Sequence, residues 1–332
     1  MNSFGTLFRV TLWGESHGAQ VGVTIDGVTA GLPLAVEDFE ADLARRRSGA
    51  RGTTPRVERD LPQIVAGLYQ GHTTGAPLTL VFENGNTRSG DYDNLRTQPR
   101  PSHADRTGAV KFDGWNDPRG GGHFSGRLTL ALVAAGVVAK KMLRGVAFTT
   151  RITAVGGQSD PAAFDAAIDD AIRNEDSIGG VIECRATGIT TGWGEPFFDS
   201  VESTVAHLLF SVPAVKGVEF GDGFAAAALR GSLHNDPIID AEGHTATNHA
   251  GGVDGGITNG NELIVRAAVK PTASIGREQQ TFDFAAGKVA PLRIRGRHDA
   301  CIALRAAVVI EAAVAIALTD LQLRDRCRHA AK

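Results

Sequence analysis

The sequence predicts an α+β chain in which antiparallel sheets enclose unusually buried helices. Three observations predict it. Short strand-like runs recur at close spacing, and helices and strands alternate irregularly, which argues against a regular parallel sheet. Two long segments, 126–143 and 305–326, are apolar on nearly every side, the pattern of helices held between layers. No Pro/Ser-rich linker divides the 332 residues, so a single domain over 1–332 is expected.

Taken in order, residues 7–11 and 21–25 read as strands. The segment between them carries Glu15, Ser16 and His17 among glycines, and Asp26-Gly27 is a turn signal. Residues 35–47 read as a helix, with Val36, Phe39 and Leu43 on one face. Its C-terminal Arg45-Arg46-Arg47 suits the helix dipole. Residues 64–69 and 77–82 are short strand candidates. Residues 83–122 show little periodicity and read as a long polar loop, a class that is usually functional or disordered. The buried helix 126–143 follows, then a strand at 146–156. Pro161 opens a helix over 162–174. Residues 181–184 read as a strand, 201–210 as a helix and 215–220 as a strand. A second polar, glycine-rich loop covers 231–262. An alternating strand at 263–268 and the helix 305–326 complete the chain.

Composition narrows the function. The chain is 42% hydrophobic and 21% charged, which excludes a disordered chain. Its 41 glycines cluster, as at Gly120–Gly122, which suits tight turns and backbone brought close to a ligand. A net charge of -3 gives no reason to expect nucleic acid. The three cysteines form no C-x-x-C pair, so neither a zinc knuckle nor a disulfide scaffold is expected. Glu15 precedes any apolar signal core, and Arg305 and Glu311 interrupt the most apolar stretch, 301–318. A cytoplasmic chain without a membrane partner is the expectation.

The chemistry-bearing residues concentrate in the polar segments. His17, His103 and His123 lie where acid/base work is plausible. His103 stands between Arg100-Pro101 and Asp105-Arg106, where neighbouring arginines disfavour its imidazolium form until an anion compensates. Arginines outnumber lysines, 27 to 7. Arg45, Arg46, Arg47, Arg51, Arg56 and Arg59 fall close together, and Arg100, Arg106, Arg119 and Arg127 follow. Guanidinium forks suit phosphate and carboxylate. No G-x-S-x-G elbow, Walker loop or dinucleotide fingerprint is present, and His244 and His249 lack a persuasive metal-ligand spacing. The residues alone support an enzyme for a small anionic substrate.

Eight stretches carry a resemblance. They are FGTLFRVTLWGESHG, RRRSGARGTTPR, RPSHADRTGAVKF, DPRGGGHFSGR, SVPAVKGVEFGDGF, NHAGGVDGGITNG, KPTASI and GRHDACIALRAAVVIEA. In this order they resemble the chorismate synthase family over roughly residues 4–320. The segment after the triple glycine departs from the family's frequent R-S-S-A-R-E-T, with His123 and Leu128 in place of an arginine and a glutamate.

The resemblance implies a β-α-β sandwich with central long helices between antiparallel sheets, assembled as a homotetramer. It implies a 1,4-anti elimination of phosphate from 5-enolpyruvylshikimate 3-phosphate to give chorismate, with reduced FMN required and no net redox change. NADPH would act only indirectly, through an external flavin reductase, because no reductase-like segment is recognised. Among the site residues, it implies His17, His103 and Asp299 as catalytic groups. His103 would protonate the leaving phosphate, His17 would set the charge state of the flavin, and Asp299 would assist hydrogen removal from C6. Arg46, Arg51, Arg106, Arg127 and Arg297 would clamp phosphate and carboxylates. His123, Ser125, Asn248, Ala250, Gly255, Lys270, Thr272, Ser274 and Arg297 would lie along the FMN. The bland account of Asp299 is a cap for the last helix. The alternative function is a non-enzymatic phosphometabolite- or flavin-binding protein on the same scaffold.

Overall fold

The computed structural model describes residues 1–54, 60–85, 94–294 and 298–329. A five-stranded antiparallel sheet is built from β1 (Ser3–Phe4), β2 (Arg9–Gly14), β3 (Gln20–Asp26), β4 (Gln63–Ala66) and β7 (Leu78–Glu83). Its order is β1-β2-β3-β7-β4. The intervening β5 (Leu68–Tyr69) and β6 (His72–Thr73) form a separate small hairpin. The stretch read as one strand at 64–69 is therefore two, divided at Gly67, whose φ of 81° breaks the extended run.

The second sheet has four antiparallel strands: β8 (Ala147–Val155), β9 (Gly180–Thr187), β10 (Val215–Phe220) and β13 (Leu263–Val269). Its order is β10-β13-β9-β8. Two further hairpins, β11 (Val253–Asp254) with β12 (Ile257–Thr258) and β14 (Gln279–Asp283) with β15 (Lys288–Leu292), complete the strands among the described residues.

The helices are α1 (Glu40–Arg46), α2 (Asp105–Lys111), α3 (Thr129–Met142), α4 (Phe164–Arg173), α5 (Val201–Ser211), α6 (Gly231–His234) and α7 (Ala303–His329). α3 packs against β2, β3 and β7, α7 packs against β8 and β9, and the two helices pack on each other. This is a sheet–helix–sheet sandwich. It explains the missing polar faces: residues 130–139 of α3 and 308–322 of α7 are all buried. α7 is long and apolar enough to cross a membrane by length and composition, yet 89% of its most apolar window is buried inside the fold.

Side-chain size sets the helix crossing. A Cβ on Gly136 of α3 would overlap Ala312 of α7, so the two backbones meet there without a side chain between them. The polar groups of α7 are paired. Glu311 accepts hydrogen bonds from Arg45 and Lys140, and Asp320 accepts from the backbone N–H groups of Thr6, Leu7 and Phe8 at 2.7–2.9 Å. These bonds remove the cost of burying the carboxylates.

Short elements fall where the sequence predicts loop, among them α6, β11 and β12 within 231–262. α2 and a 3-10 turn over Arg119–Phe124 interrupt residues 83–122. The β14–β15 hairpin has no counterpart among the predicted strands. Its Phe284 N–H donates to Thr97 O and its Thr281 hydroxyl to Pro99 O, both at 2.7–2.9 Å. The hairpin thereby braces the approach to Arg100 and His103.

Candidate active site

The N-terminal ends of α3 and α7 and the C-terminal end of α1 meet at a cavity of about 700 Å³. That size is ordinary for a small-molecule site. One wall is apolar, with Val10, Leu12, Leu128, Leu132, Leu208 and Val309. The rest is cationic. Arg46, Arg47, Arg100, Arg127, Arg305 and Lys270 face Asp60 and Asp299, six fixed cations to two carboxylates among the described lining residues. An anion with an apolar portion is what such a lining recognises.

The cations are held individually. Arg46 is buried and donates from Nε to Thr129 Oγ1 at 3.0 Å and from its terminal nitrogen to Gly126 O at 2.8 Å. Burial, and then the Arg305 cation, push its pKa down to about 9, which leaves it charged at neutral pH. Arg127 donates to Asp60 at 2.5 Å, to Asn84 Oδ1 at 3.0 Å and to Glu83 O. Asp60 also lies 3.7 Å from Arg46, so one buried carboxylate is shared by two guanidiniums. Arg47 Nε is buried without a hydrogen-bond partner. An orphaned buried donor costs free energy until an acceptor arrives. Lys270 donates to Ser102 O at 2.7 Å, and burial, then Lys216, lower its pKa.

His103 is oriented by a carboxylate. Its Nδ1 lies 2.6 Å from Asp105 Oδ1, and Arg100 donates to both oxygens of Asp105 at 2.7 Å. Arg100 also donates to Ser274 Oγ at 2.9 Å. Arg100 Nη2 also lies 3.0 Å from Nδ1, but the carboxylate at 2.6 Å is the closer and stronger partner, which assigns the hydrogen to Nδ1 and leaves Nε2 as the exchangeable position. Burial would raise the Asp105 pKa, but the hydrogen bonds from Arg100 and His103 outweigh it and hold the carboxyl well below its usual range. The sequence places Asp105 two residues after His103 and weighs only the arginines; the structure shows that this carboxylate faces the imidazole and supplies the opposing charge.

His17 is buried but does not line the cavity. A Cβ on Gly120, which does line it, would overlap the His17 ring. The glycine run therefore lets backbone lie flat on the imidazole. His123 Nδ1 is 2.8 Å from Gly14 O and Nε2 3.2 Å from Asn2 Oδ1, which fixes the N-terminal segment as part of the wall. Ser125 caps the turn before α3 by accepting from Arg127 N–H.

Asp299 is not a helix cap. It precedes α7 by four residues, accepts from Thr54 N–H at 2.9 Å and pairs with Arg305 Nη1 at 3.1 Å. Thr272 donates to the Asp299 carbonyl at 3.0 Å, which ties the 270–274 loop to the same corner.

A family model described as chorismate synthase matches residues 8–323. A chorismate synthase from Chitinophaga pinensis is 58% identical over 327 residues, covering 98% of each chain. The chain belongs to the chorismate synthase family. One from Opitutus terrae is 46% identical, covering 98% of this chain and 97% of its own. A solved structure described as a crystal structure of chorismate synthase superposes with a TM-score of 0.74 at 26% identity, covering 97% of this chain and 93% of its own.

Against the chorismate synthase expectation, the fold gathers Arg46, His103, His123, Ser125, Arg127, Lys270, Thr272, Ser274 and Asp299 around one cavity. Five residues stand elsewhere in the single chain. Arg51 is exposed and paired with Asp169 on α4, so its charge is spent on that helix. Arg106 is exposed and stacks over the Phe284 ring at 4.8 Å. Asn248 and Ala250 sit in the loop organised by Asp236, which accepts from the His249 and Ala250 N–H groups. Gly255 makes the β11–β12 turn with a φ of 59°. Arg297 lies outside the described residues. The sequence reading named Arg47 only within the arginine cluster and did not single out Asp60 or Arg305 for the site. Asp60 ends the arginine-rich run and Arg305 lies six residues after Asp299, but neither shows its partner in one dimension.

Proposed function

We propose that the cavity binds 5-enolpyruvylshikimate 3-phosphate beside reduced FMN and converts it to chorismate and phosphate. The observation that carries the reading is His103, held at Nδ1 by Asp105 on a cavity with six cations. The flavin fits the residues present: an apolar wall suits its ring system, and Arg47 Nε offers a buried, unpartnered donor to an anion. Electron density lent to the departing allylic phosphate, without net redox change, is the chemistry that bound reduced FMN supplies.

The chain's own residues bind, orient and move protons. The substrate's phosphate and carboxylates are neutralised by Arg46, Arg127 and Arg305, with Arg47 and Lys270 beside them. His103 Nε2 protonates the leaving phosphate oxygen while Asp105 stabilises the charged ring. Asp299 holds a carboxylate where the C6 hydrogen departs, on the ring face opposite the phosphate. His17, packed behind Gly120, sets the charge next to the flavin. Ser125, Thr272 and Ser274 offer hydroxyl contacts. A homotetramer, an external flavin reductase drawing on NADPH, and a cytoplasmic location without nucleic-acid or membrane partners complete the proposal.

The test is an anaerobic assay with dithionite-reduced FMN and this substrate, reading phosphate and chorismate together. Equal release of both is expected. Binding without turnover would point to the non-enzymatic alternative, and turnover with oxidised FMN alone would overturn the redox requirement.

A further inference from the structure

A second chamber of about 190 Å³ lies behind His103. His103 and Phe124 line both chambers, so the imidazole stands in the partition. Its ionisable lining among the described residues is Arg96, His103, Asp105 and Asp117. Asp105 holds His103 Nδ1, and Asp117 feels the His17 charge, which helps lower its pKa after the larger effect of its hydrogen bond from Arg119. The glycine run separates the two histidines. A Cβ on Gly120 would overlap the His17 ring, and one on Gly121 would sit 3.5 Å from His103 Nε2. Gly121 lines the second chamber, and Arg96 and Gly114 on its rim are exposed. The lining is mixed, with Leu95, Ala109 and Phe124 beside the ionisable groups, and a space this large with those groups as partners takes several waters.

We propose that this chamber is a hydrated proton-return route that restores the proton on His103 after each turnover. The inference rests on the elimination reading above. The proton balance leaves a proton to be restored to His103 in every cycle. The C–O bond breaks with its electron pair going to phosphate, whose oxygen takes the His103 Nε2 proton. The C6–H electron pair forms a ring double bond as the existing double bond shifts toward the carbon that loses phosphate, and that proton goes to the Asp299 side of the cavity, on the opposite ring face. His103 ends one proton short while the product lies between it and the released proton. Water behind the partition, bounded by two carboxylates and open at Arg96 and Gly114, resupplies Nε2 from bulk solvent along the edge left bare by Gly121.

The test fills the chamber without touching the first cavity. Ala109→Leu places an isobutyl group in it, and Asn116→Leu does the same from another wall should the first variant fail to fold. Single-turnover chorismate formation with pre-reduced FMN should stay within about twofold of wild type, while the steady-state rate falls about tenfold. Imidazole buffer, as a small proton carrier, should restore the steady-state rate. An unchanged steady-state rate, an equal loss in both measurements, or a burst insensitive to imidazole, which marks slowed product release, would each overturn the proposal. A wild-type protein that makes no chorismate overturns the functional reading and this proposal together, whereas active wild type with unaffected variants overturns this proposal alone.

Discussion

A single carboxylate decides what His103 can do. Asp105 fixes the ring through Nδ1 and pairs with Arg100, so Nε2 is the ring nitrogen left for the proposed proton transfer. Because the Asp105 pKa is lowered on folding, its stabilisation is fully present above the ordinary value of about 4 and is lost as pH falls through the depressed folded value. Wild type should therefore exceed Asp105→Asn in urea midpoint at about pH 7, with the gap narrowed at about pH 2. A gap independent of pH would show that the stabilisation is not ionic. Asp299 allows a sharper separation. Asn can still accept from Thr54 N–H but cannot carry a proton. Asp299→Asn should keep melting and FMN binding near wild type and lose turnover heavily. Turnover within about threefold, only ~0.65 kcal/mol of barrier, would reduce Asp299 to a tie between Thr54 and Arg305.

Elements position these residues through packing rather than propensity. α3, with the turn before it, and α7 bring Arg127, Thr129 and Arg305 to the cavity, and their backbones approach closely at Gly136 and Ala312. Gly136→Val should separate them, an overpacking cost of about 1–3 kcal/mol. Thermal melting should show the drop, and an unchanged melting temperature would mean that the crossing relaxes freely. Both long helices and their burial were legible in the sequence from segments apolar on nearly every side. α2 was not legible, for a physical reason. It has seven residues and Gly108 in its middle, so local propensity does not define it. Gly108 instead leaves room for the Phe124 ring, a contact between residues sixteen positions apart.

At the scale of the whole molecule, the loop carrying Asn248 and Ala250 is joined to a surface bearing exposed Leu233, Ile238 and Ile239. Backbone bonds between Ile239 and His244 and between Ala246 and Pro237 make it one unit. Exposed apolar side chains gathered this way suit contact between copies. Light scattering should give about four times 34.8 kDa, and Ile238→Asp with Ile239→Asp should lower that mass. A wild-type monomer across the micromolar range would contradict the homotetramer.

The sequence by itself determined the α+β class, the burial of the two long helices and the family, because these depend on local periodicity and on motifs contiguous in the chain. It also contained the residue types of the cavity, including histidine and the excess of arginine. Only the tertiary structure decided which charges face one another. It gave Asp105 to His103, shared Asp60 between Arg46 and Arg127, and removed Arg51 to α4. Asp299, a possible cap by position, became a neighbour of Thr54 and Arg305. The reason is range. Periodicity and turn chemistry act within a few residues, whereas these pairings join segments up to 245 residues apart and exist only once the helices and sheets have packed.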